Sequence, residues 1–135
     1  MTKILLVEDN EMNRDMLTRR LERIGFAVVN AVDGPAGVAM ASSEKPDLIL
    51  MDVALGEMDG WEATQLIKAD PNTRSIPIIA LTAHALASDR DRSIAVGCVD
   101  FDTKPVDFAR LMRKLRLHVG PPSADESLSV VSLVK

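Results

Sequence analysis

Asp47-Leu48-Ile49-Leu50-Met51-Asp52 holds four consecutive apolar residues, entered from Pro46 and closed by a carboxylate. A short continuous apolar run of this kind marks a strand buried on both faces. Such a strand needs other elements packed above and below it. Because it stops on a charge, it delivers that charge to the edge of the sheet, where water and ligands reach. Asp52 is therefore the first candidate functional residue. Ile4-Leu5-Leu6-Val7 repeats the pattern and runs directly into Glu8 and Asp9.

The rest of the chain alternates strands with helices. Asn10 caps a helix that carries Asn13, Leu17, Leu21 and Ile24 on one face and stops at Gly25. Phe26 to Val29 reads as a strand and Asp33-Gly34 as a turn. A small-residue helix follows from about Pro35 to Ser43, with Ala36, Val38, Ala39 and Met40 available for packing. A helix opened by Met58-Asp59-Gly60 places Ala63, Leu66 and Ile67 at i, i+3 and i+4. Pro77 to Leu81 is a further strand that ends on Thr82, and Ser88 to Val96 a further helix. Val99-Asp100-Phe101 forms a short fifth strand leading to Thr103-Lys104-Pro105. The last helix buries Phe108, Leu111, Met112 and Leu115, and its arginines read as a solvated face. Five strands alternating with helices, joined by connections too long for hairpins, predict an α/β fold. It is a doubly wound, five-stranded parallel sheet with helices on both faces.

At 135 residues the chain makes one domain, large enough to bury roughly two-thirds of the surface of its unfolded form. We assign residues 1–119 to that domain and 120–135, after Gly120-Pro121-Pro122, to a flexible tail. The net charge of −4 argues against a dedicated nucleic-acid binder. Cys98 is the only cysteine, which excludes an intramolecular disulfide and suits a reducing compartment. No segment reaches the roughly 18 apolar residues of a membrane span, and the N-terminal apolar run is too short for a signal peptide. The expected location is the cytoplasm.

In a parallel sheet every strand ends at the same edge, and ligands bind there. That edge would gather Glu8, Asp9, Asp52 and Thr82, with Lys104 just past the fifth strand. Like charges a few ångströms apart cannot all ionise cheaply, so the acids call for a cation. Hard oxygen donors without histidine or cysteine indicate Mg²⁺. Lys104 adds a fixed positive charge and Thr82 a hydroxyl donor. The set suits phosphoryl transfer onto Asp52, with metal and ammonium spreading charge over the phosphoryl oxygens.

Val7-Glu8-Asp9-Asn10, Asp47 to Asp52, Met58-Asp59-Gly60, Leu81-Thr82-Ala83 and Thr103-Lys104-Pro105 resemble the successive signatures of a response-regulator receiver domain, the CheY-like type. The likeness runs from residue 3 to about 118 and is specific as a set. It implies a flavodoxin-like sheet of order 2-1-3-4-5, with Asp52 phosphorylated by a histidine on a sensor kinase. It implies that Glu8, Asp9, Asp52 and the backbone carbonyl of Ala54 hold Mg²⁺. Thr82 would turn inward to bond the phosphate, Lys104 would pair with it, and the Lys104–Pro105 bond would be cis. Phe101 falls where receivers keep a switch aromatic that moves with Thr82, and here it lacks the hydroxyl of tyrosine. Leu55-Gly56 departs from the Met-Pro usual after the phosphoacceptor, which frees the loop. Ala54 and His84 occupy the positions that tune hydrolysis of the acyl phosphate in this family.

The implied partners are a sensor histidine kinase or histidine phosphotransfer protein and a downstream protein target, with a phosphorylation-dependent homodimer also open. With no output domain legible, signalling goes through protein contact; a receiver fragment of a hybrid histidine kinase is the alternative. An aspartate-nucleophile phosphatase would carry a second acid where Ala54 stands, so the chain is not expected to be a multiple-turnover enzyme. A dinucleotide binder would need a glycine-rich first turn in place of Glu8-Asp9-Asn10-Glu11.

Overall fold

Ile4 to Val7, Leu48 to Asp52 and Ile78 to Thr82 are buried at every position, and these three segments form the middle of the sheet. The structure, a computed structural model, describes residues 1–83 and 86–120. His84 and, apart from Gly120, the tail lie outside the described residues. The element order is β1 (Lys3–Val7), α1 (Glu11–Arg23), β2 (Ala27–Ala31), α2 (Gly34–Glu44), β3 (Leu48–Asp52), α3 (Gly60–Ala69), β4 (Ile78–Thr82), α4 (Ala87–Ala95), β5 (Asp100–Thr103) and α5 (Phe108–Val119). All strand pairings are parallel, in the order β2-β1-β3-β4-β5.

Successive strand residues point to opposite faces, so the apolar runs split between two core layers. Ile4, Leu6, Leu48, Leu50, Ile79 and Leu81 meet Leu17 and Leu21 of α1 and Leu111, Met112 and Leu115 of α5. Leu5, Val7, Ile49, Met51, Ile78 and Ala80 meet Ala41 of α2, Ala63 and Ile67 of α3, and Cys98. Four helices begin on a side chain that accepts an N–H of their first turn: Asn10, Asp33, Asp59 and Asp107. Asp59 and Glu62 complete a reciprocal capping box. The start of α4, at Leu86, has no such cap. No helix among the described residues is long and apolar enough to cross a membrane.

Several local expectations shift. β2 continues to Ala31, and Asp33 is the cap of α2 rather than part of a free turn. α2 fully buries Gly34, Gly37 and Ala41; of the residues expected to pack, Ala36, Val38 and Met40 lie partly buried against the second core layer and Ala39 is exposed. Gly37 lies so close to β1 that a Cβ there would stand 2.9 Å from a Val7 methyl. Leu66 is 48% exposed although its spacing matched Ala63 and Ile67; only those two reach the core. β5 starts at Asp100, leaving Val99 exposed before it. Past β3, Leu55 is buried in the second core layer, and Gly56 after it is exposed.

Candidate functional site

The end of β3 and the start of α3 are in backbone contact. Gly60 donates its N–H to Val53 O at 3.1 Å. A Cβ at position 60 would fall 2.2 Å from Asp52 O, so only glycine allows this approach. Asp52 is thus held at the carboxyl edge by a strand buried on both faces and by a helix start beneath it. The residue is 1% exposed.

Around it the edge collects the expected residues. Glu8 directly follows β1 and is also 1% exposed, while Asp9 beside it is open to solvent. Lys104, past β5, donates to Glu8 Oε1 at 2.9 Å and reaches Asp52 Oδ2 at 3.1 Å. Glu8 Oε2 accepts the Asn10 N–H, and Asp52 Oδ1 accepts the Ala54 N–H, each at 3.1 Å. Thr82 ends β4, is 2% exposed, and its carbonyl accepts the Lys104 N–H at 2.7 Å. The Lys104–Pro105 peptide is cis.

Burial pushes the Glu8 carboxyl above its ordinary value, and the Asp52 charge adds to that; Lys104 and the Asn10 N–H pull the other way without cancelling it. Burial acts to lower the Lys104 ammonium, but the contacts to Glu8 and Asp52 outweigh it and the value rises. One ammonium therefore serves two buried carboxylates, and Asp9 adds an exposed one beside them. Oxygen atoms of Glu8, Asp9 and Asp52 lie within 4.8 Å of one another. Three hard oxygen donors with charge left over after Lys104 are the donor set that a small divalent cation such as Mg²⁺ takes.

Phe101 is half-buried on the same sheet face as Ala80, and Lys114 Nζ lies 5.2 Å from its ring centroid. Ala54 is exposed and touches the cluster through its N–H. Cys98 is buried, and desolvation pushes its thiol up to about 11, consistent with a packing role.

Four contributions had escaped the sequence reading. Arg14 donates to Glu8 O at 2.9 Å. Arg110 pairs with the buried Asp102 at 2.7 Å. Lys114 holds Asp100 and the Phe101 carbonyl. Trp61 donates its indole N–H to Ser93 of α4 at 3.0 Å. The arginines had read as solvated faces, because helical spacing does not show which acids a neighbouring strand presents.

Residues 4–116 match the response regulator receiver domain family. The chain belongs to that family. This receiver is 36% identical over 121 residues to the polar-differentiation response regulator DivK of Brucella ovis, covering 89% of this chain and 98% of DivK. It is 40% identical to the response regulator PleD of Caulobacter vibrioides, over 84% of this chain but only 25% of PleD. Among solved structures it is similar to the receiver domain of the sensor histidine kinase PA1611 of Pseudomonas aeruginosa PAO1. That pair has a TM-score of 0.82 and 41% identity, covering 88% of this chain and 98% of the other. The PA1611 structure is described with a magnesium ion coordinated in the active site cleft. Vibrio cholerae CheY4 superposes with a TM-score of 0.83 at 28% identity, over 88% of this chain and 99% of CheY4. The receiver is a module of two-component signalling.

Proposed function

We propose that this receiver accepts a phosphoryl group on Asp52 from a phosphohistidine of a sensor histidine kinase or a histidine phosphotransfer protein. The observation that carries the reading is the Lys104 ammonium between Glu8 and Asp52, 2.9 and 3.1 Å away, with Asp9 alongside. A carboxylate oxygen of Asp52 forms the new P–O bond as the P–N bond to the histidine breaks, and the imidazole leaves with the electron pair. Glu8, Asp9, Asp52 and the Ala54 carbonyl would hold Mg²⁺, which supplies positive charge to the phosphoryl oxygens. Lys104 is already aimed at Asp52 and can follow the charge onto the phosphoryl group, with the Thr82 hydroxyl as a second donor. Thr82 and Phe101 then carry the change toward α4 and β5, altering protein contacts.

On this reading the chain is a cytoplasmic signalling protein. It assists its own phosphorylation and dephosphorylation and is not a multiple-turnover enzyme on foreign substrates. Its partners are proteins, a second copy of itself included, and neither nucleic acid nor membrane. The match to nearly the whole of DivK, a response regulator, supports a response-regulator receiver. The 41% identity to the PA1611 receiver supports the second reading, a receiver attached to a hybrid kinase.

The test is intact-protein mass after incubation with acetyl phosphate or phosphoramidate and Mg²⁺. We expect a single phosphate-sized gain that EDTA prevents and that the Asp52→Asn variant lacks. No gain with either donor would refute the phosphoacceptor reading.

A further inference from the structure

A third buried acid lies on β5, outside the reacting cluster. Asp102 of β5 pairs in register with Leu81 and so faces the apolar layer beneath α1 and α5; it is 2% exposed. Its Oδ1 accepts Arg110 Nε at 2.7 Å and the Thr103 N–H at 2.8 Å. Its Oδ2 has no hydrogen-bond partner among the described residues. An aliphatic side chain would fill this place without the desolvation cost of a carboxylate. What an ion pair offers instead is direction, since a guanidinium is a rigid planar fork.

That fork grips the end of β5. Arg110 Nη2 also reaches the Thr103 hydroxyl, at 3.3 Å. Asp102 and Thr103 are the two residues that precede Lys104. On the other side, the Lys104 N–H is fixed to Thr82 O of β4 at 2.7 Å. The base of Arg110 is aimed in turn, because Asp107 Oδ1 accepts its backbone N–H at 3.1 Å and caps α5.

We propose that Asp102 and Arg110 are positioning residues for phosphoryl acceptance. They hold the backbone from which Lys104 reaches Glu8 and Asp52, and neither touches the reacting atoms. This rests on the phosphoacceptor reading above.

The pair is tested by replacing it as a unit, Asp102→Leu with Arg110→Met, because removing Arg110 alone strands the buried Asp102 charge. The urea midpoint is expected at or above that of the parent. The phosphorylation rate at saturating acetyl phosphate and Mg²⁺ is expected to fall about tenfold, as for a displaced reacting group. In a Lys104→Ala background the same replacement should change the rate less than about twofold, since the effect runs through Lys104. A parental rate in the double variant, or an equal loss without Lys104, overturns the role. If the double variant melts earlier than the parent, Arg110→Lys decides. It keeps a cation for Asp102 and releases Thr103, so a several-fold slower rate supports positioning and a parental rate overturns it. A parent that takes no phosphate at all fails the phosphoacceptor reading, and this inference with it.

Discussion

Asp9→Asn should stabilise the protein in the absence of divalent metal and weaken its hold on that metal. Asp9 is exposed, and among the described residues its carboxylate makes no hydrogen bond or ion pair that the substitution would break. One of its oxygens stands within 4.8 Å of an oxygen of Glu8 and of Asp52. Lys104, at 2.9 and 3.1 Å, offsets one of those two charges, so Asp9 faces about one unopposed negative charge. At ~5 Å that repulsion is about 3 kcal/mol for an effective dielectric near ~20 and just under ~1 kcal/mol in bulk water. Exposure puts Asp9 toward the second figure, and the expected gain is about 1 kcal/mol. Asp52→Asn relieves repulsion too, but it also gives up the 3.1 Å attraction to Lys104, so its gain should be smaller.

The assay is urea unfolding in EDTA at neutral pH and low ionic strength. The Asp9→Asn midpoint should rise with an unchanged slope. Added sodium chloride should shrink the difference, because the interaction is between charges near the surface. Saturating Mg²⁺ should reverse the order, since the parent gains more from binding. A midpoint in EDTA equal to or below that of the parent would show that the acids do not repel, and the reasoning would fail.

Three other perturbations have definite signs. Gly60→Ala puts a Cβ 2.2 Å from Asp52 O and 2.8 Å from Val53 Cα. Backbone cannot swing aside as a flexible side chain can, so a loss of about 3 kcal/mol or more is expected in thermal or urea melts. Glu8, whose folded value lies above the ordinary 4.5, contributes stability below that pH and loses it as pH rises through the folded value. In EDTA, Glu8→Gln should therefore gain on the parent as pH climbs from about 4.5 to neutrality, and urea midpoints that stay parallel would contradict this. Trp61→Phe keeps an aromatic ring but removes the 3.0 Å bond to Ser93. It should cost about 1 kcal/mol, read from urea melts followed by circular dichroism.

The sheet and its reacting edge were legible because two simple signals coincide. Continuous apolar runs such as Leu48 to Met51 require burial on both faces, and parallel strands send all their ends to one side. Spacing along a single helix was a weaker guide. Leu66 fits the same template as Ala63 and Ile67, yet it faces water, because the template does not state how wide a stripe the sheet covers. Apolar periodicity is weak in α2, whose fully buried positions are Gly34, Gly37 and Ala41, small residues that gain closeness rather than bulk, with Ala36, Val38 and Met40 packed beside them. The partners of Arg110 and Lys114 lie on β5, and no local pattern pairs a helix cation with a strand acid eight to fourteen positions earlier.

A change at Leu50 or Met51 disturbs the packing beneath one helical layer at once, and the neighbours on that layer must change with it. Met12, Leu86 and Ile94, by contrast, lie on the exposed surface, where most substitutions cost little. The two zones therefore differ in the substitutions they tolerate: the packed layers that hold the reacting edge resist change, and the exposed surface accepts it.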